Sequence, residues 1–192
     1  LEALAAADHP GVDDSALATI RWHLDEARKY QKSEQDYAAR SVEKATRYLD
    51  RGERAEDPIA PEHGIVARAY VSQYSIGPQA YSVYVHENYD PAKQYGLIVN
   101  LHGGSSNHNL FLAVTLGHWN LPWADYWNLR HDEFVPARPP PDDFMVAAPD
   151  GFGQIRYRWM AEVDTLQVIQ DIRKHYSIDP QRIALAGLSN GG

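Results

Sequence analysis

The sequence predicts an α/β protein with a mostly parallel sheet, and three features carry this prediction. Two short, nearly unbroken apolar runs, at 97–101 and 144–148, are typical of strands buried on both faces of a parallel sheet. A helical pattern at about 160–176 separates the second run from a further apolar run at 183–186. The order strand, loop, strand, helix, strand is that of an α/β fold.

The first 57 residues have a different pattern and are expected to form an N-terminal helical accessory segment. Within 14–51, apolar residues recur at helical spacing, which predicts two helices or one long one. We expect a break near Ser33, because residues 33–36 resemble a capping box, and a left-handed C-terminal residue at Gly52. The positions expected to face the core are Leu17, Ile20, Leu24, Ala27, Val42, Ala45 and Leu49.

After a linker at 56–61 the apolar period changes from 3.6 to 2. The segments 65–72 and 81–85 alternate around a turn at Gly77-Pro78, which predicts an antiparallel hairpin at a sheet edge. Further along, the helix at 160–176 is expected to bury one stripe, and Asp179-Pro180 is expected to form a turn before the last strand. The stripe consists of Val163, Leu166, Ile169, Ile172 and Tyr176.

A long aromatic connection at about 105–143 interrupts the strand pattern. Its 39 residues include three of the five tryptophans, Trp119, Trp123 and Trp127, spaced so that they would share one face of a helix. So long a connection usually carries function or small helices of its own. Two interpretations remain open: the tryptophans pack on the core, or they form a lid or wall of a substrate pocket.

Composition excludes several classes of function. The 192 residues carry 18 basic and 26 acidic side chains, a net charge of −8, which gives no electrostatic basis for binding nucleic acid. No apolar run approaches the roughly 18 residues that span a bilayer, so no membrane span is expected. The absence of cysteine excludes disulfides, thiolate metal sites and a cysteine nucleophile.

The last predicted strand runs directly into a G-x-S-x-G pentapeptide at 187–191. Such a serine lies on a strained turn between strand and helix that exposes its hydroxyl, and the glycines avoid collisions with neighbouring backbone. The pattern is weak in isolation, but its position after a buried strand is the one that a nucleophile elbow requires. We therefore predict Ser189 as a catalytic nucleophile.

A second motif, His102-Gly103-Gly104, follows the earlier strand at 97–101. Acyl transfer needs backbone N–H groups aimed at the oxyanion of the tetrahedral intermediate, and small residues let the substrate approach the main chain. One donor is expected from the residue after the nucleophile, Asn190, and the other from this upstream loop. Gly104 is the first choice for that donor, with Gly103 and Ser105 as neighbours.

The histidines at 102, 108, 118 and 131 do not have the spacing of a metal site, so no metal and no cofactor is expected. None of them is a good candidate for the general base. In an elbow enzyme the triad follows the order Ser, Asp or Glu, His, so both partners of Ser189 are expected beyond Gly192. The string at 150–153, Asp-Gly-Phe-Gly, is expected to be a plain turn.

These motifs resemble the α/β-hydrolase superfamily, most closely its branch of feruloyl esterases, polyhydroxyalkanoate depolymerases and prolyl-oligopeptidase-type catalytic domains. The matching strings are 81–85 with 89–91, 97–104, Trp159 with Glu162, 176–183 and 187–192. The resemblance covers a little over half the chain. It implies residues 58–192 as the N-terminal part of such a catalytic domain, truncated after the elbow, with the remainder expected C-terminal to Gly192.

The resemblance also implies hydrolytic acyl transfer from Ser189 without a cofactor. We expect a serine hydrolase that cleaves a carboxylic ester, either of a small molecule or linked to a polymer. One alternative is a peptidase or amidase of the prolyl-oligopeptidase type, which uses the same nucleophile. An alternative from another class is a non-catalytic α/β-hydrolase-like binding module, in which the triad partners are degenerate and the segment 14–51 mediates assembly.

Overall fold

The structure of the protein is a computed structural model that describes residues 11–104, 106–117, 135–153 and 155–192. In chain order its elements are α1 (Asp14–Tyr30), α2 (Gln35–Gly52), β1 (Gly64–Val71), β2 (Pro78–Val85), β3 (Tyr95–Leu101), α3 (His108–Thr115), β4 (Phe144–Pro149), α4 (Met160–His175), β5 (Ile178–Gly187) and a 3₁₀ turn (Ser189–Gly191).

The five strands form one mixed sheet in the order β1-β2-β4-β3-β5. Strand β3 is parallel to both of its neighbours, β4 and β5, while β2 is antiparallel to β4. The predicted α/β class and the edge position of β1 are therefore confirmed. Because the carboxyl ends of parallel strands lie at one edge, the loops after β3, β4 and β5 meet there.

The central strands are buried on both faces, as their apolar runs predict. Leu97 and Val99 in β3 are fully inaccessible, as are Met145 and Ala147 in β4. On the opposite face, Val146 packs with Leu112 and other apolar residues of α3. Helix α3 also confirms the expectation that the long connection contains a small helix of its own.

Strand β5 differs, because among the described strands it pairs only with β3 and much of it is accessible. Leu185 is 59% exposed and Leu188, just beyond the strand, is 53% exposed. The strand also begins earlier than predicted, at Ile178, so that Asp179-Pro180 lies within its bounds, where the carboxylate of Asp179 accepts the N–H of Gln181 at 2.9 Å in a local turn. A register shift between Tyr95 and Leu97 of β3 accommodates this start.

By the density of its contacts the chain divides into two compact units. One comprises the residues up to Pro61 together with Arg68–Gln79, and the other comprises Glu62–Ala67 with Ala80–Gly192. The predicted domain boundary between residues 57 and 58 stays a prediction.

The unit that contains the residues up to Pro61 includes the two helices that the sequence predicts, α1 and α2. Their boundaries differ from the predicted ones. Helix α2 begins after Glu34, one residue later than the predicted cap, and no side chain caps it, so the capping box at Ser33 does not form. Gly52 is the last helical residue and has no positive φ. Its need for a small residue is steric, because a Cβ there would lie 2.9 Å from a methyl group of Val12.

The predicted stripe on α4 is wrong in part. Ile172 is buried, but Leu166 is 55% exposed, and the buried face instead contains Ala161, Asp164 and Val168. The buried face includes Asp164 because its carboxylate accepts the backbone N–H of Gly151, at 2.8 Å. The spacing of apolar residues does not reveal a buried polar side chain of this kind.

Candidate active site

Ser189 occupies a strained turn directly after β5. Its φ is +58°, a left-handed conformation that costs a non-glycine residue about 1–3 kcal/mol. The 3₁₀ turn begins at Ser189 itself, and the residue is exposed. This is the geometry that the G-x-S-x-G motif predicts for a nucleophile elbow.

The two glycines of the motif are required by close backbone approaches. A Cβ at Gly187 would overlap the carbonyl of Gly191, and a Cβ at Gly191 would overlap the carbonyl of Leu101 at the end of β3. The amide of Leu188 also donates a hydrogen bond to that Leu101 carbonyl, at 3.3 Å. The turn is therefore packed directly on the end of the neighbouring strand, with no room for side chains at either position.

The loop after β3 lies against the same turn. A Cβ at Gly103 would be 3.5 Å from the Cβ of Ser189 and 3.3 Å from the carbonyl oxygen of Leu188. Within the described part of the chain, the backbone N–H groups of Gly103, Gly104 and Asn190 form no hydrogen bond. The structure thus places Gly103, one of the predicted upstream donors, against the predicted nucleophile.

His102 is buried beneath this loop and is held by backbone carbonyls. Its Nδ1 lies 2.8 Å from the carbonyl oxygen of Gly103, and its Nε2 lies 2.9 Å from that of Asp150 in the loop after β4. The side chain is thereby enclosed between two loops at the carboxyl edge of the sheet. That His102 is neither a general base nor a metal ligand stays a prediction.

Two further residues at this edge were not found from the sequence. Tyr157 accepts a hydrogen bond from the backbone N–H of His102 and donates one to the carbonyl of Pro149, both at 3.1 Å. Burial raises the pKa of this phenol above its ordinary value. Asp164 holds the turn at Gly151 from the opposite side, through the hydrogen bond described above. No local pattern marks either residue, because each acts on a partner distant in sequence.

The loop that contains Tyr157 begins with the predicted turn. Gly151, Phe152 and Gly153 all have positive φ values, from 52° to 77°, which confirms a turn at 150–153. Trp159, one of the residues that carry the family resemblance, precedes α4 with a φ of +52° and is 77% exposed. This loop therefore combines backbone strain with an accessible aromatic side chain.

Several predicted residues lie outside the described part of the chain. They are the three tryptophans proposed for substrate contact, Trp119, Trp123 and Trp127, together with Ser105, His118 and His131. Of the remaining histidines weighed as ligands, His108 has its Nδ1 2.8 Å from the hydroxyl of Ser82. Across the described ranges, no cluster of three or more side chains has the arrangement of a metal site. No described helix has the length and apolarity to cross a membrane.

Comparison with known proteins finds similar folds in solved structures. No family model matches the sequence, and no curated protein matches it. A ferulic acid esterase from Anaeromyces mucronatus aligns with 17% identity and a TM-score of 0.44, over 66% of this chain and 50% of that one. A feruloyl esterase module from Clostridium thermocellum aligns with 21% identity and a TM-score of 0.42, over 68% and 47%.

A candidate dipeptidyl aminopeptidase IV from Bacteroides ovatus aligns with 19% identity and a TM-score of 0.43, over 71% of this chain and 19% of that one. The chain thus spans half or less of the length of each of these three structures. At such identities the likeness is one of fold alone. Two of these aligned structures are of esterases and one is of a candidate peptidase.

Proposed function

We propose that this chain carries the nucleophile and the oxyanion hole of a serine hydrolase that cleaves carboxylic esters. The observation that carries the proposal is the left-handed Ser189, presented on a turn that packs against the Gly103 loop. A non-glycine residue holds such a conformation only where the surroundings impose it, and such positions cluster at functional sites. An ordinary turn would need neither the strain nor the contact with a second glycine loop.

In the proposed reaction, the Oγ of Ser189 bonds to the acyl carbon while its proton passes to a histidine expected beyond Gly192. The N–H groups of Asn190 and of Gly104 or Gly103 stabilise the negative oxygen of the tetrahedral intermediate. The bond between the acyl carbon and the alcohol oxygen then breaks, and the alcohol leaves with the proton from the histidine. Water attacks the acyl-enzyme, releases the acid and returns the hydroxyl of Ser189.

The test compares two serine substitutions in the full-length protein. Ser189→Ala should abolish labelling by a fluorophosphonate and hydrolysis of a panel of chromogenic esters, because no other group replaces the nucleophile. Ser33→Ala, at an exposed position between α1 and α2, is the matched control and should leave both unchanged. Labelling that persists in the Ser189→Ala protein would refute the proposal.

The preference for esters over peptides needs its own measurement. Peptidases of the prolyl-oligopeptidase type use the same nucleophile, so labelling alone does not separate the two activities. Ester and peptide substrates with the same acyl group should be compared side by side, and we expect the higher kcat/KM for the ester. A higher kcat/KM for the peptide would show that the protein is a peptidase and not an esterase. A protein that is not labelled and hydrolyses neither substrate would instead be a binding module.

A further inference from the structure

The phenol of Tyr157 joins the ends of two neighbouring strands at the carboxyl edge of the sheet. It accepts from the N–H of His102, the first residue after β3, and donates to the carbonyl of Pro149, the last residue of β4. Both distances are 3.1 Å. A single hydroxyl therefore uses its donor and one acceptor site to connect the end of β4 with the loop after β3.

The surroundings of Tyr157 are arranged to hold it there. Its ring lies edge-on to the imidazole of His102, with ring centroids 5.3 Å apart. A Cβ at Gly151 would lie 2.8 Å from the same ring, so this glycine makes room for it. The backbone of Tyr157 has a φ of +48° and that of Arg156 a φ of +63°, both unfavourable for side-chain-bearing residues. The two strained residues, Arg156 and Tyr157, are thus the ones that place the phenol between the two strand ends.

Tyr157 binds His102, which is the first residue of the proposed oxyanion loop, residues 102–104. The N–H of His102 is bound by the phenol, and its two imidazole nitrogens lie 2.8 and 2.9 Å from the carbonyl oxygens of Gly103 and Asp150, one of which accepts the ring N–H of a neutral imidazole. A peptide unit is planar, so the placement of His102 and of the Gly103 carbonyl restricts the direction of the following N–H groups. Those are the N–H groups of Gly103 and Gly104, which have no other partner in the described chain.

We propose that Tyr157 is a positioning residue for the oxyanion hole: through His102, it sets the direction of the Gly103 and Gly104 N–H groups relative to Ser189. The proposal rests on the proposed function, since it assigns Tyr157 a role in that reaction. Electrostatic stabilisation depends on donors fixed before the reaction, and a misplacement of about 1 Å can cost on the order of 10²-fold in rate. The effect of the phenol is therefore expected in kcat.

The chain contains a matched control for this substitution. Tyr89 also uses its phenol to accept a backbone N–H, that of Ser177, at 2.8 Å. This bond lies just before β5, at the amino edge of the sheet and away from the elbow. Tyr157→Phe and Tyr89→Phe thus remove the same atom and the same kind of hydrogen bond from the two ends of the sheet.

The experiment measures steady-state hydrolysis of a chromogenic ester by the two variants in the full-length protein. We expect Tyr157→Phe to lower kcat by about 10- to 100-fold, with KM changed less than about twofold, and Tyr89→Phe to leave kcat within about twofold. The melting temperatures of both variants are compared to show that the difference does not follow stability. Equal kcat values for the two variants would overturn the proposal.

A second measurement does not depend on activity. Amide hydrogen exchange at residues 102–104 is compared in Tyr157→Phe and Tyr89→Phe, each combined with Ser189→Ala. Faster exchange confined to Tyr157→Phe supports the proposal, and equal exchange rates overturn it. If the unsubstituted protein hydrolyses no ester, the proposed function fails, and the exchange rates alone decide whether Tyr157 holds the loop.

Discussion

The parallel strands β3, β4 and β5 have an amino end and a carboxyl end, which we call the amino edge and the carboxyl edge of the sheet. The two edges contain similar side chains in different backbone conformations. At the amino edge, Tyr89 and Tyr95 each accept a backbone N–H, at 2.8 and 2.9 Å, in unstrained segments. At the carboxyl edge, Tyr157 makes the same kind of bond from a left-handed residue. The hydrogen-bond chemistry alone therefore does not distinguish a site from a structural support.

What distinguishes the carboxyl edge is where the strain lies. Every non-glycine residue with positive φ in the described chain belongs to the loops after β4 or β5. These residues are Phe152, Arg156, Tyr157, Trp159 and Ser189. Strained residues persist only where the surrounding structure imposes them, and they concentrate at functional positions. The comparison teaches that backbone conformation, more than side-chain type, marks the candidate site.

The largest expected effect comes from adding a methyl group to a glycine at each edge. Gly191→Ala should lower the free energy of unfolding by about 3 kcal/mol and abolish ester hydrolysis, because the obstacle is the backbone carbonyl of Leu101. Gly96→Ala should cost about 1 kcal/mol and retain activity, because the obstacle is the ring of Phe144, which can move. Urea denaturation and ester assays measure both. Equal losses at the two edges would contradict the comparison.

A smaller effect on stability, with a clear effect on rate, is expected from Gly103→Ala. The added Cβ would lie 3.3 Å from the carbonyl oxygen of Leu188, a tight contact that a small shift relieves. We expect the free energy of unfolding to change by less than about 1 kcal/mol and kcat to fall about tenfold, since the shift displaces a proposed oxyanion donor.

The matched control for this change is Gly77→Ala, in the turn before β2. A Cβ at Gly77 meets no atom within 4 Å, and Gly77 has no positive φ. The variant should therefore retain the rate and stability of the unsubstituted protein. A Gly103→Ala protein with unchanged kcat would separate this loop from the proposed reaction.

Alkaline pH should sharpen the comparison of the two tyrosines. Burial raises the pKa of Tyr157, and also that of Tyr89, above the ordinary value near 10. Above pH 10 the unfolded phenol loses its proton while the folded one retains it, so the stability present below pH 10 is lost as the pH rises. Tyr157→Phe should flatten this decline, measured by urea denaturation between about pH 9 and 11. A slope identical to that of the unsubstituted protein would contradict a raised pKa of Tyr157.

The smallest effect is expected from a surface ion pair at the amino edge. Arg182 pairs with Asp143 and lies over the ring of Phe144, with 4.6 Å from the guanidinium carbon to the ring centroid. The two charged side chains are 37% and 60% exposed, so solvent screens their attraction. Arg182→Ala should change the free energy of unfolding by less than about 1 kcal/mol and leave kcat unchanged. A decrease in the free energy of unfolding above about 2 kcal/mol would show that the ion pair contributes substantially to the stability of the amino edge.

Local patterns predicted much of this fold. The apolar runs at 97–101 and 144–148 correspond to β3 and β4. Such strands can be predicted from composition, because a strand buried on both faces consists almost entirely of apolar residues. The turn at Ser189 was predicted for a similar reason: its glycine spacing describes a backbone conformation within five residues. Two failures involve distant partners, the buried Asp164 and the early start of β5, whereas the capping box at Ser33 is a local pattern that does not form.

The amino-acid sequence by itself determined the strands, the helices and the elbow motif, because each depends on neighbours within a few residues. Only the tertiary structure brought Gly103 against Ser189 and placed the phenol of Tyr157 between β3 and β4. His102 and Tyr157 are 55 positions apart in the chain, and no periodicity relates them. Their contact depends on the parallel alignment of the two strands and on the strained loop that returns Tyr157 to the edge of the sheet.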